Sequence, residues 1–96
     1  MALFIAQHQH SAEVCPAGNP QVAPMLSRHV SAQNAAQAGL KIHGEAVVDG
    51  GHTLYIIVEG ASLDQVQQFM APFAQMGTVN VWPASLCETV VARGKC

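Results

Sequence analysis

Two histidines one residue apart, His8 and His10, stand near the amino terminus, and Cys15 follows five positions later in "AQHQHSAEVCPAG". Imidazole and thiolate are the side chains that borderline and soft transition metals prefer. Alternate residues of a strand point to one side about 6–7 Å apart. One ion can bridge that span through two imidazoles at about 2.0–2.1 Å each. With a loop cysteine and one further histidine, His52, the set becomes a tetrahedral N/S site of His8, His10, Cys15 and His52. Zinc fits such a set, and copper fits where the thiolate dominates. The plain alternative is that strand-end histidines sit idle and Cys15, ahead of Pro16, packs as a small hydrophobe.

Those residues can converge only if the chain brings them together. "ALFIAQH" (Ala2 to His8) is a short apolar run before a Pro/Gly-rich loop, and reads as a buried strand. From about Gln21 to Ala38 the apolar positions Val22, Met25, Leu26 and Val30 follow helical spacing, with Ser31 capping a second piece and Gly39 as a stop. "LKIHGEAVV" alternates, with Leu40, Ile42, Ala46 and Val48 on one face and Lys41, His43 and Glu45 on the other. "DGG" signals a hairpin, and "HTLYIIVE" is the returning strand. Ser62 and Gln65 form a capping-box pattern before a helix that Pro72 interrupts. "TVNVWP" is a fourth strand, and Ser85 with Glu88 repeats the cap pattern for a short terminal helix.

The order strand, helix, strand, strand, helix, strand, plus a tail, is the split βαβ or ferredoxin-like arrangement, an α+β fold with a four-stranded antiparallel sheet. In that order the first and third strands are neighbours, so His8 and His10 end beside His52, and the Cys15 loop leaves from the same rim. Layout and size resemble the dimeric α+β barrel superfamily, in which two such sheets pack open face to open face. "GEAVVDGGHTLYIIVE", "FMAPFAQMGTVNVWPAS" and "CETVVARG" are similar to a bacterial family of short proteins with no settled function. The resemblance implies the fold and a homodimer, and no activity.

A dimeric barrel would enclose the sheet face opposite the helices, which carries His43, Glu45, Tyr55, Ile57, Asn80 and Trp82. Mixed aromatic and polar surfaces line small-molecule pockets. His43 and Glu45 could act there as an acid/base pair with Tyr55 as proton donor, or His43 could carry a haem. Interface packing explains Tyr55 and Trp82 equally well.

Three more positions bear reactive groups. Cys87, read in the first turn of the terminal helix, is an outside metal ligand or a nucleophilic thiol, unless it is a buried cysteine packed beside Val90. Cys96 is terminal, and His29, on the edge of a helical apolar stripe, reads as a packed histidine. Asp49 and Glu59 show no acid/base spacing and read as solvated.

Composition bounds these readings. A chain of 96 residues is one domain, half hydrophobic and 10% charged, which is the opposite of a disordered composition. So little charge on so small a chain suits a homo-oligomer. Net charge is −2 and the four basic residues are scattered, so no basic stripe recommends nucleic acid as a partner. No run reaches the length of a membrane span, and the start lacks a basic n-region. A cytoplasmic protein with three free thiols is the expectation.

Overall fold

In the computed structural model, which describes residues 1–96, the alternating runs form four strands: β1 (Ala2–Gln9), β2 (Lys41–Val47), β3 (Thr53–Gly60) and β4 (Thr78–Ala84). Five short helices join and follow them: α1 (Ala23–His29), α2 (Ala32–Gln37), α3 (Leu63–Phe69), α4 (Ala71–Ala74) and α5 (Cys87–Arg93). The strands lie in the order β2-β3-β1-β4 with every neighbouring pair antiparallel. This is the ferredoxin-like α+β arrangement expected from the sequence. None of the helices is long and apolar enough to cross a membrane.

Cross-strand register assigns the faces. Phe4, Ala6 and His8 of β1 lie opposite Val58, Ile56 and Leu54 of β3, and all six side chains are buried under the helices. Helices contribute Leu26, Ala35, Val66, Phe69, Met70 and Phe73 to the same core. Full burial of such side chains contributes about 1.5–3 kcal/mol for each large one. On the other face Ile5 sits between Ile57 and Trp82 in a row across three strands. That face has no helix over it, and Tyr55, Ile57 and Trp82 remain 41%, 44% and 46% exposed.

Local chemistry explains where the helices begin and stop. Ser31 Oγ accepts from Asn34 N at 3.2 Å and starts α2 as a second piece after α1, as its capping pattern predicts. Gly39, at φ +78°, ends α2 in the left-handed conformation that glycine adopts without steric cost. Ser62 Oγ accepts from Gln65 N at 3.2 Å to start α3. The Gln65 amide then accepts from Ala61 N at 2.7 Å and donates to Ala38 O at 2.8 Å, tying the end of α2 to the start of α3. Pro72 lies in the first turn of α4, where its missing N–H is no loss, and the helix breaks just before it.

Two local readings change. The pairing of β2 with β3 slips between Ile42 and Gly44, a bulge that leaves His43 unpaired. One extra residue reverses every later side chain. Glu45 therefore lies opposite Ile56 and Val47 opposite Leu54, on the helix side, while Ala46 faces out opposite Tyr55. The predicted alternation of Leu40, Ile42, Ala46 and Val48 against Lys41, His43 and Glu45 is thus correct only up to the bulge. At the other end, Leu86 rather than Ser85 occupies the N-cap of α5, with no side-chain cap. Ser85 is one residue too early to reach the free N–H groups, and its Oγ instead accepts from Arg93 Nη1 at 3.3 Å. Cys87 opens this helix exposed, so it does not pack beside Val90 as a buried residue.

Candidate metal centre

The β1–β3 ladder runs one step beyond the strands, because His10 N donates to His52 O at 3.1 Å. That bond fixes the two histidines at one rim. Between β2 and β3 the loop closes through Gly51 N to Val48 O and Val48 N to Thr53 O, both 2.9 Å. Gly50 and His52 take positive φ there, +69° and +51°. For histidine this is an uncommon and strained conformation. Cys15 sits between two single 3-10 turns, Ala12–Val14 and Pro16–Gly18, in the extended backbone that a following proline imposes. Its thiol is half-buried and forms no disulfide. Across β1, Gly77 packs flat against the main chain of Gln9 and His10, a close approach that no Cβ would allow.

The result is a cluster. One donor atom each from His10, Cys15 and His52 lies within 4.8 Å of the other two. Donors around a tetrahedral ion are separated by about 3.3–3.8 Å, so a small contraction would complete a three-ligand set. His8 stands behind this trio rather than in it. It is 2% exposed, its ring lies 5.1 Å from those of both His10 and Phe73, and its Nε2 is 3.1 Å from His10 Nδ1.

That contact leaves His8 Nδ1 and His10 Nε2 buried with no hydrogen-bond partner. Unpartnered buried nitrogens are costly. His10 Nδ1 is thus engaged by His8, and Nε2 is the nitrogen left without a partner. A ligating histidine usually has its second nitrogen oriented in this way by a neighbour. Burial holds His8 below the usual histidine range and the nearby His10 adds to this, while the Thr78 main chain opposes it without completing a hydrogen bond. Burial and then His52 lower His10 in the same direction. Neutral imidazoles keep the lone pairs that a metal needs.

The other candidates stand apart. β4 runs from Thr78, beside Gln9, to Ala84, beside Leu3, so Cys87 follows at the opposite rim from the cluster. Cys96 is exposed. His29 is packed as expected: its ring stacks on Phe69 at 4.4 Å and Nε2 donates to Phe69 O at 2.5 Å. On the open face the bulge separates His43 from Glu45, and His43 Nε2 instead meets Glu59 at 3.2 Å. The predicted His43/Glu45 pair is replaced by His43/Glu59, and Glu59 is not simply solvated. Gln7, absent from the sequence reading, donates to Tyr55 OH at 2.9 Å and accepts from Asn80 Nδ2 at 3.2 Å.

A cleft of about 640 Å³ opens beside the cluster, between α1 and the β2–β3 loop. His10, Cys15 and His52 form one part of its wall, and Leu26, Val30, Val47 and Phe73 another. Glu45 and Asp49 also line it. An isolated glycine within a strand pattern signals a bulge, so Gly44 is the residue that marks the change of face for Glu45.

Comparison with known proteins finds no match among curated proteins or among solved structures. A family model described as a domain of unknown function (DUF3303) matches residues 9–95, a span that contains His10, Cys15 and His52 and leaves out His8. By that match, which covers nearly the whole chain, the protein belongs to the DUF3303 family.

Proposed function

We propose that the protein binds a transition metal through His10, Cys15 and His52. The observation that carries this is the approach of three ligand atoms, one each from His10, Cys15 and His52, to within 4.8 Å of one another, beside a His10 Nε2 that is buried and unpartnered. His8 serves as the neighbour that orients His10 through Nδ1 rather than as a fourth ligand. Two imidazoles and one thiolate suit zinc, and copper is the second choice. Three protein ligands with a fourth position left open are the pattern of sites that handle or use a metal, whereas closed structural sites have four. The proposed role is metal handling or metal-assisted chemistry at that position, in a cytoplasmic homodimer that buries the open faces with Tyr55, Ile57 and Trp82.

The test is metal stoichiometry of protein purified without chelator, by native mass spectrometry. One ion per chain is expected, lost in Cys15→Ser and His10→Ala with circular dichroism unchanged. Full stoichiometry in either variant removes that ligand from the set.

A second reading places a small-molecule site on the open face between subunits. The Asn80–Gln7–Tyr55 chain favours it, since Gln7 donates to the phenol oxygen and leaves the Tyr55 O–H free to act on a ligand. Haem ligation through His43 would compete with Glu59 for Nε2. Loss of ligand binding in Tyr55→Phe, with metal content intact, would select this reading.

A further inference from the structure

We infer that the cleft beside the cluster is the binding site for a small, mostly apolar organic molecule whose oxygen donor enters the metal's open position. The inference rests on the metal reading and adds the class of ligand. Its volume of about 640 Å³ lies within the range of small-molecule pockets.

The walls show a division of labour. The donor trio and the carboxylates of Glu45 and Asp49 are polar, and the rest is largely aliphatic, with Leu26, Val30, Val47 and Val48. Val47 and Val48 are 57% and 49% exposed at a strand end, where folding alone gives them nothing to cover. The bulge at His43–Gly44 is what turns Val47 and Glu45 into the cleft and away from the open face. A bulge that re-aims side chains beside a site is a recurrent device. Strain at His52, φ +51°, lies on the same loop that carries Val48 and Asp49. Backbone strain of this kind concentrates at binding sites.

An apolar body gains by leaving water along these valines, while its head replaces a water on the metal. A deprotonated oxygen head brings the metal site's net charge, two units positive less one for the Cys15 thiolate, to zero. A hydroxamate head keeps an N–H after losing its O–H proton, and the carboxylates of Glu45 and Asp49 on the cleft wall are acceptors for it. The ligand class is therefore a linear or branched aliphatic hydroxamate, whose N–H meets the two carboxylates that would repel a polyanion.

Cobalt(II)-loaded protein gives the test, since thiolate-to-cobalt absorption reports the metal site and its perturbation reports a ligand. Acetohydroxamate, butyrohydroxamate and octanohydroxamate are titrated in turn. Affinity is expected to rise about fourfold per methylene until the cleft is filled. Val47→Asp, at an exposed position, should flatten that dependence while leaving the cobalt spectrum of the ligand-free protein unchanged. Affinity independent of chain length, or the same slope in Val47→Asp, on an intact cobalt spectrum, overturns the cleft and leaves the metal reading standing. A protein that takes up no cobalt overturns both.

Discussion

Replacing His52 by glycine should leave the metal-free protein nearly as stable or more so and remove most of its stabilisation by metal. His52 occupies the left-handed region at φ +51°, a conformation that costs a residue with a side chain about 1–2 kcal/mol. Glycine removes that cost. Its greater freedom in the unfolded chain takes back about 0.4–1 kcal/mol. Loss of the edge contact with His10, whose ring centroid lies 5.2 Å away, takes back about 0.5 kcal/mol more at this half-buried position. The metal-free variant should then lie between about 0.5 kcal/mol below the parent and about 1 kcal/mol above it. With zinc at about a thousand times its dissociation constant, the parent gains about 4 kcal/mol by linkage, and a variant lacking one of three ligands gains little of this. Urea denaturation in chelator and in excess zinc measures both differences. Equal zinc stabilisation in parent and His52→Gly would refute the ligand assignment, and a metal-free loss above about 1 kcal/mol would refute the strain argument.

Acid should weaken the metal-free fold: burial depresses His8 and His10 below the ordinary 6.5, so the unfolded chain takes up protons first as the pH falls. Their contribution is fully present above 6.5 and is lost on acidification below it, as urea midpoints should show, with a smaller slope in His8→Phe and refutation if the slope is unchanged. Gly77→Ala would drive a Cβ into the Gln9 carbonyl oxygen, 3.0 Å from its carbon and 3.1 Å from His10 Cα, and should cost at least about 1–3 kcal/mol in urea denaturation. Lysine at both Ile57 and Trp82 should convert a dimer to a monomer by sedimentation with zinc uptake retained, and equal masses for parent and variant would place the interface elsewhere.

How far the residues themselves disclose this arrangement depends on the range of the interactions. Period-two runs, the Ser31 and Ser62 caps and the Gly39 stop act within a few residues, and they are readable because local chemistry decides them. The meeting of His10, Cys15 and His52 is also readable, since antiparallel pairing of the first and third strands forces their ends together. His8 shows the limit: its spacing matches that of a ligand, but its burial against Phe73 depends on helix α4, far along the chain. Glu45 shows another, because a single bulged residue moved it from one face of the sheet to the other, and Gly44 is the only local sign. The pairing of His43 with Glu59 follows from the same slip. The cleft could not be read at all, being assembled from α1, the Cys15 loop and the β2–β3 loop.

X-ray absorption at the metal edge, on zinc-loaded protein, addresses the central claim most directly. The account predicts one sulfur at about 2.3 Å and two imidazole nitrogens at about 2.0–2.1 Å, with a further light atom in the fourth position. A first shell with no sulfur, or with more than two imidazoles, would contradict the assignment of His10, Cys15 and His52.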